Sequence, residues 1–170
     1  NPHTKRLYLP LNEGCLEAGP EGRYQVLTTN MQFKEALFPG STGNMGRVQA
    51  LDLDNQEIEW THRQPSPVIS SILATAGGLV FAGDLNRQFR AFNDETGEVL
   101  WQGMLDDVPS STIITYAVNG TQYVAIVAGQ TGYHVNDWSR MFSIFAEPEG
   151  MPFNDSPKGG AAIWVFALGQ

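Results

Sequence analysis

The stretch that decides the fold is RQFRAFNDETGEVLW at residues 87–101, because GRVQALDLDNQEIEW at residues 46–60 repeats its pattern. The two segments align without a gap and place Trp60 on Trp101, forty-one positions later. In each copy an alternating strand runs into a short polar turn and then into a second strand that ends in Trp. The later copy has the better turn, since Gly97 adopts a positive φ at little cost. An internal repeat of this kind predicts stacked β units.

The repeat extends to a unit of four antiparallel strands. The complete unit has predicted strands at 70–76, 79–83, 87–93 and 98–104. The unit before it has strands at 6–11, 46–52 and 57–62, and the unit after it has strands at 111–118, 121–128 and 162–168. A period near 40 residues with four strands per unit is typical of the blades of a β-propeller. We therefore predict an all-β fold of propeller blades, and a plain β-sandwich is the less favoured alternative.

The predicted blades form only part of a propeller. The units span about residues 1–62, 70–104 and 111–168, whereas closed propellers have roughly four to eight blades. The chain is thus expected to be a processed or cut piece of a larger propeller, or to be completed by another chain. Long loops at 12–45 and 129–161 join the second and third strands of the outer units and lie at one end of the sheets. Long loops on a rigid scaffold are where function usually resides.

Composition excludes several function classes. Lys and Arg total 10 against 18 Asp and Glu, which gives a net charge of −8, so a nucleic-acid partner is not expected. Charged residues are only 16% and hydrophobic residues 42%, which argues against a disordered chain. No apolar run is long enough to predict a transmembrane helix.

Four stretches resemble one enzyme family. AFNDETGEVLW at 91–101 resembles the tryptophan-docking motif of the pyrroloquinoline-quinone (PQQ) dependent alcohol and glucose dehydrogenases. LATAGGLVFAG at 73–83 and ITYAVNGTQYVAIVAG at 114–129 resemble the last large blades of these enzymes, and GGAAIWVFAL at 159–168 resembles their closing strand. The resemblance implies that residues 1–170 are the C-terminal portion of an eight-bladed propeller, in which each docking Trp packs between neighbouring blades.

The resemblance also implies a function. The family oxidises an alcohol or a sugar by passing two electrons to PQQ, which is held beside Ca²⁺ or a lanthanide, and then to an electron acceptor such as a cytochrome c or a quinone. The cofactor carries the chemistry while the protein positions it and supplies a base. In the family the catalytic aspartate and most metal ligands come from earlier blades, so we predict no catalytic and no metal-binding residue in this chain. The isolated chain is expected to be inactive.

The residues expected to line the cofactor pocket lie at the starts of the first strands of two blades. These are Ile69, Ser70 and Ser71, and, in the next blade, Ser111. Many relatives have Trp-Gly-Gly where this chain has Ile-Ser-Ser, a departure that bears on PQQ binding and substrate preference. Tyr133 stands where many relatives have Trp. It is equally well interpreted as a pocket wall or as an ordinary loop aromatic.

Other chemistry-bearing residues are predicted to be structural. His3, His62 and His134 lack metal-ligand spacing. Cys15 has acidic and apolar neighbours rather than the basic ones that activate a thiol. The last long loop carries six large apolar residues, which predict a cap over the pocket or a contact with another subunit or an electron acceptor; they are Trp138, Met141, Phe142, Phe145, Met151 and Phe153.

The substitution at Ile69 leaves an alternative of a different class. A propeller of this family that lacks the cofactor would serve as a binding or assembly scaffold in the cell envelope. For either function, the resemblance implies a location in the periplasm or on the periplasmic face of the inner membrane.

Overall fold

The described part of the chain is built from β-strands and turns, which confirms the all-β prediction. The computed structural model describes residues 1, 3–20, 24–25, 32–129 and 161–169. Its strands, in chain order, are β1 (Arg6–Asn12), β2 (Cys15–Gly19), β3 (Tyr24–Gln25), β4 (Gln32–Ala36), β5 (Gly46–Asp52), β6 (Glu57–Gln64), β7 (Leu73–Ala74), β8 (Leu79–Gly83), β9 (Gln88–Asn93), β10 (Val99–Met104), β11 (Ile114–Val118), β12 (Thr121–Gly129) and β13 (Ala161–Ala167). Among these residues no helix has the length and apolarity needed to cross a membrane.

Three of the sheets follow one topology. Their strand orders are β1-β5-β6, β10-β9-β8-β7 and β11-β12-β13, and neighbouring strands are antiparallel throughout. The middle sheet has four strands in simple up-and-down order, as one propeller blade requires. The sheets on either side have three described strands each, so the structure confirms a partial propeller.

The two aligned turns share their chemistry as well as their sequence pattern. The Oδ1 atom of Asp52 accepts hydrogen bonds from the backbone N–H groups two and three residues further on, at 2.8 and 3.3 Å. Asn93 Oδ1 accepts the equivalent pair in the next unit, at 2.8 and 3.1 Å. Such side-chain bonds hold the backbone in a tight turn. Each turn then needs one residue with positive φ, which is Gln56 (φ 59°) in the first unit and Gly97 (φ 71°) in the second.

The core lies between the sheets. One cluster of buried apolar side chains joins the first sheet to the middle one and includes Val48, Trp60, Val80 and Phe92. A second cluster joins the middle sheet to the third; it contains Phe81, Phe89, Ala91, Leu105, Ile113, Val124, Ile126 and Ala128. The middle sheet is therefore covered on both faces. This is the packing expected of an internal blade.

Two segments differ from the sequence-based expectation. The strand predicted at 70–76 is reduced to β7, because the backbone N–H groups of Ile69 and Ser70 both bond to the carbonyl of Gly83 and interrupt the ladder. The long loop at 12–45 contains a small antiparallel sheet of order β2-β4-β3. Alternation in that stretch is short and its strands pair only locally, so its pattern did not indicate a sheet.

Candidate functional site

The two ends of the sheets differ in chemistry. We call the end that holds the connections from β6 to β7 and from β8 to β9 the loop end, and the opposite end, which holds the turn from β9 to β10, the turn end. Four of the five predicted pocket residues, Ile69, Ser70, Ser71 and Ser111, lie at the loop end, in the connections that lead into β7 and β11. The repeated turns and the Trp residues that follow them lie at the turn end.

At the loop end, the structure brings together the pocket residues predicted from both blades. The backbone N–H of Ser71 donates to the carbonyl oxygen of Ser111 at 3.2 Å. The N–H of Ile113 donates to the Ser71 hydroxyl oxygen at 2.9 Å. These two bonds join the entry of one sheet to the entry of the next, so Ser71 and Ser111 form one continuous wall.

Most hydroxyl groups at this wall form hydrogen bonds with backbone groups. Ser70 Oγ accepts from the N–H of Gly83 at 2.7 Å and donates to the carbonyl of Ser71 at 2.6 Å. Ser111 Oγ bridges the N–H and carbonyl of Val127, at 2.9 and 3.0 Å. The Ser71 hydroxyl accepts one bond and, among the described residues, has no acceptor for its own proton. These groups can position a polar ligand, but no described side chain next to them is placed to activate a serine as a nucleophile.

Ile69 is buried, as are Val68 and Ser70 on either side of it. Its side chain is only 8% exposed, and its backbone N–H donates to the carbonyl of Gly83 at 3.0 Å. The residue is therefore part of the packed base of the wall. Tyr133, the fifth predicted pocket residue, and the six large apolar residues of the last long loop lie outside the described residues.

Sequence reasoning missed the residue that anchors this wall. The side-chain amide of Asn12 bonds both polar groups of the Val68 backbone: Nδ2 donates to the carbonyl at 2.8 Å, and Oδ1 accepts from the N–H at 2.7 Å. Asn12 thus acts as one residue of an added strand and fixes the segment that leads directly into Ile69. Its only signal in the sequence is its position at the end of the predicted strand 6–11.

A buried ion pair lies at the same end. Asp84 is 1% exposed, and Arg90 Nη1 contacts its Oδ2 at 2.5 Å. Gln64 Nε2 donates to the same oxygen at 3.1 Å, and the backbone N–H of Gln88 donates to Oδ1 at 3.0 Å. Burial raises the pKa of Asp84, and the Arg90 charge opposes that shift. The network ties β6 to the connection between β8 and β9, which makes the loop end rigid.

A second charged group lies where the long loop leaves β1. Glu13 binds two guanidinium groups, those of Arg47 at 2.6 Å and of Arg63 at 2.5 Å, and its side chain is 9% exposed. The backbone N–H of Glu13 also donates to the carbonyl of Met45 at 2.7 Å, across the mouth of the loop. These contacts hold the base of the loop against the first sheet.

The described residues do not form a metal centre. No group of three or more His, Cys, Asp or Glu in this part of the chain is placed to hold a metal ion. Cys15 is a free, half-buried thiol. His62 packs edge-on against the Phe92 ring at 5.0 Å, and burial lowers its pKa. The described part of the chain therefore offers a polar wall without metal ligands.

At the turn end, Trp60 packs from the first sheet onto the middle one. Its Nε1 donates to the carbonyl of Asp94 at 2.9 Å, and Tyr8 Oη donates to the same carbonyl at 3.4 Å. The indole lies against Gly97, where a Cβ atom would come within 2.5 Å of Trp60 Cε3. Trp101 differs, since it is 42% exposed.

A cavity of about 530 Å³ opens beside Trp101. It is apolar, and its walls come from β8, β9, β10 and β13. None of the four predicted pocket residues that the structure describes lines it. It lies at the turn end, between the four-stranded sheet and β13, so it is separate from the serine wall.

Comparison with known proteins connects the fold to one family. Residues 17–124 match the family model described as the β-propeller domain of glucose, ethanol and alcohol dehydrogenases that use PQQ. A quinoprotein ethanol dehydrogenase of Pseudomonas putida is 30% identical over 125 residues, covering 74% of this chain and 19% of that protein. The lanthanide-dependent methanol dehydrogenase of Methylorubrum extorquens is 30% identical over 139 residues, covering 78% of this chain and 23% of that protein.

Solved structures give the same result. A europium-containing methanol dehydrogenase superposes with a TM-score of 0.75 at 26% identity, over 99% of this chain and 32% of that one. A quinohemoprotein alcohol dehydrogenase of Comamonas testosteroni gives a TM-score of 0.58 at 29% identity, over 76% of this chain and 21% of that one. The chain therefore spans less than a third of the length of these relatives.

Proposed function

The chain belongs to the PQQ-dependent dehydrogenase β-propeller family, and from that membership we propose that it supplies blades and one wall of the cofactor pocket to a quinoprotein dehydrogenase. The parent protein would oxidise an alcohol or a sugar. The observation that carries the proposal is the continuous wall formed by Ser71 and Ser111 at the loop end. It supports the proposal because both residues belong to the predicted pocket edge, and the bond between them joins the segments that lead into β7 and β11.

The wall fits the edge of a flat, oxygen-rich cofactor. The Ser71 hydroxyl holds a proton that no described acceptor takes, so it can donate to a carbonyl or carboxylate oxygen of PQQ. Buried Ile69 gives the base of the wall an aliphatic surface in place of the indole that many relatives carry. PQQ, when bound, accepts the two electrons removed from the alcohol. Ser71 and Ile69 would hold and orient it, while the base and the metal ligands would come from outside the described residues.

The serine wall supports a positioning role rather than a catalytic one. The hydroxyl groups of Ser70 and Ser111 are hydrogen-bonded to the backbone, and these bonds fix the segments that lead into β7 and β11. The Asn12 amide and the Asp84–Arg90 ion pair hold the same end of the sheets. A rigid wall of this kind positions a cofactor without reorganising during the reaction.

The test uses the complete polypeptide that carries these residues. Reconstituted with PQQ and either Ca²⁺ or La³⁺, it is expected to reduce an artificial electron acceptor when alcohols or sugars are added. The variant Ser71→Ala should weaken PQQ binding several-fold, while Ser110→Ala should not. Ser110 is the matched control because its hydroxyl donates to the carbonyl of Gly129 at 2.6 Å and has no free proton.

Two outcomes contradict the proposal. If the complete protein binds no PQQ in the presence of either Ca²⁺ or La³⁺, the envelope-scaffold function is favoured. If residues 1–170 alone oxidise alcohols with PQQ and Ca²⁺, then the base and metal site lie within this chain and the assignment of the pocket is wrong. A periplasmic location is part of the same proposal, and fractionation of the producing cells tests it.

A further inference from the structure

Val68 lies between the first sheet and the middle one, in the segment that leads into the serine wall. It forms an isolated antiparallel bridge with Asp84, and the next N–H along the chain, that of Ile69, donates to the Gly83 carbonyl at 3.0 Å. Backbone groups of successive residues in such pairing point to opposite edges, so the N–H and the carbonyl of Val68 point away from the middle sheet. Val68 is 4% exposed, and buried backbone groups require partners.

Asn12 supplies both partners from the first sheet. It is the last residue of β1 and lies opposite Gly46 of β5. Its Nδ2 donates to the Val68 carbonyl at 2.8 Å, and its Oδ1 accepts from the Val68 N–H at 2.7 Å. A side-chain amide carries an acceptor oxygen and a donor nitrogen, as a peptide group does, so these two bonds repeat one step of a sheet ladder. Removing either group of the amide takes this partner from one buried backbone group of Val68.

The position of Asn12 is fixed by the residue that follows it. The Glu13 N–H donates to the Met45 carbonyl at 2.7 Å, and the Glu13 carboxylate binds Arg47 and Arg63. Arg47 lies on β5 and Arg63 on β6. Asn12 therefore presents its amide from a braced sheet rather than from the long loop.

The segment after Val68 is held to the middle sheet along one edge. The N–H groups of Ile69 and Ser70 share the Gly83 carbonyl, at 3.0 and 3.2 Å. A strand that is held along one edge can still rotate about that edge, and the Asn12 bonds on the opposite edge of Val68 prevent this rotation. Ser71 follows three residues after Val68, about 10 Å of extended chain. Its hydroxyl therefore takes its direction from Asn12 without lying next to it.

Ser71 passes this placement on to the third sheet. Its N–H donates to the Ser111 carbonyl at 3.2 Å, and its Oγ accepts from the Ile113 N–H at 2.9 Å. The first of these bonds lies at the long end of the normal range, so it is the one most readily lost when the segment rotates.

We propose that Asn12 is a positioning residue for the serine wall: it sets the direction of the Ser71 hydroxyl, and through that hydroxyl the affinity for PQQ, without touching the cofactor. The cofactor part of this inference rests on the proposed function. The effect of Asn12 on the contacts of Ser71 does not, because it concerns the protein without PQQ.

The first experiment measures amide hydrogen exchange in the complete polypeptide without PQQ. Asn12→Asp keeps the size and the acceptor oxygen of the side chain but places a second oxygen against the Val68 carbonyl. We expect the amides of Ser71 and Ile113 to exchange several-fold faster in this variant, although neither amide contacts Asn12. The amide of Asn93, which is bonded within its own turn at 2.8 Å, is the internal reference at the turn end and should change much less.

Gly97→Ala is the matched control for lost stability, because its added Cβ meets Trp60 at the turn end. It should destabilise the protein without selectively speeding exchange at the wall. If Asn12→Asp speeds exchange at Ser71 no more than at Asn93, or if the two variants give the same pattern, Asn12 has only a structural role and the inference is wrong.

The second experiment is a double-mutant cycle on PQQ affinity, measured by equilibrium dialysis with Ca²⁺ or La³⁺ present. Asn12→Asp and Ser71→Ala should each weaken PQQ binding several-fold. Because Asn12 acts through the Ser71 hydroxyl, the double variant should bind no more weakly than Ser71→Ala alone, and Gly97→Ala should bind as the original protein does. Losses that multiply in the double variant, or a loss in Gly97→Ala equal to that in Asn12→Asp, would overturn the inference.

The two experiments separate this inference from the proposed function. An original protein that binds no PQQ contradicts the proposed function, and exchange at Ser71 alone then decides the role of Asn12. Normal PQQ affinity in Asn12→Asp overturns the positioning role and leaves the proposed function in place. Where Asn12→Asp fails to fold, Asn12→Gln takes its place, since it keeps the donor and the acceptor but holds them one carbon further from the backbone and so displaces Val68. Unchanged exchange at Ser71 in that variant contradicts the inference.

Discussion

Gly97→Ala is the substitution that most directly tests how the sheets are held together. Gly97 has a φ of 71°, and a Cβ atom there would lie 2.5 Å from Trp60 Cε3 and 2.6 Å from Trp60 Cδ2. The indole cannot move aside easily, because its N–H is bonded to the Asp94 carbonyl and its rings lie between Tyr8 and Phe92. The substitution therefore adds both backbone strain and a steric clash.

The two effects have separable magnitudes. A non-glycine residue in the left-handed region costs about 1–2 kcal/mol, and overpacking a well-packed site costs about 1–3 kcal/mol more. We expect Gly97→Ala to lower the free energy of unfolding by about 2–5 kcal/mol. Gly120→Ala is the control, since Gly120 has a φ of 82° with nothing within 4 Å of an added Cβ. It should cost only the backbone strain.

The assay is urea unfolding of the chain followed by far-UV circular dichroism, with both variants measured beside the original. A third variant, Trp60→Leu, removes the clashing ring. In that background Gly97→Ala should cost about as much as Gly120→Ala, so the double-mutant cycle gives the contact energy directly. Equal losses for Gly97→Ala and Gly120→Ala in the original background would refute the reasoning, because the indole contact would then contribute nothing.

Three further predictions concern the loop end and the buried titratable groups. Asn12→Asp removes the donor to the Val68 carbonyl and should cost about 1–3 kcal/mol of stability in urea unfolding, whereas Asn44→Asp, in which the lost amide bonds only another side chain, should cost much less. Folding raises the pKa of Asp84 above 3.8, so the folded state binds the proton more tightly than the unfolded one. The stability of the original chain relative to Asp84→Asn should therefore be greatest below pH 3.8 and fall as the pH rises through the folded pKa; a pH-independent difference would contradict this. Burial lowers the pKa of His62 below 6.5, so the original chain should lose stability relative to His62→Gln as the pH falls through 6.5. A difference in urea midpoint between the two proteins that stays constant from about pH 7.5 to 5 would exclude the effect.

The sequence predicted the sheets because their determinants are local. Alternation sets each strand, and the turn at Asn93 to Gly97 is encoded within five residues, so the aligned repeat was sufficient to order β8, β9 and β10. The placement of Ser71 and Ser111 at the same end of the sheets was predicted in the same way, from equivalent positions in successive units. These features could be predicted because the strands and turns assigned in one copy of the unit are supported by the aligned residues of the other copy.

Features that depend on one contact between distant residues were not predictable. The strand predicted at 70–76 is shortened to β7 because the Gly83 carbonyl accepts hydrogen bonds from both Ile69 and Ser70. The bonds from the Asn12 amide to the Val68 backbone join residues at opposite ends of the first unit. The exposure of Trp101 also could not be predicted, because the repeat indicates which side chain packs on a neighbouring sheet but not which residues would cover it. The role of Tyr133 stays a prediction.

The third sheet has an apolar face that the described residues leave uncovered. Strand β13 reads AAIWVFA, an apolar run without alternation, which is typical of a strand covered on both faces. Trp164 and Phe166 pack on the second core cluster, while Ile163, which belongs to neither cluster, is 74% exposed. An apolar row of this kind costs free energy in water unless another surface covers it. Because one face of this sheet packs on the middle sheet, a further sheet of the same kind would bury the other face. Under the proposed function, the chain would contribute its serine wall to a ring with further blades, and the groups that act on the substrate would come from outside the described residues.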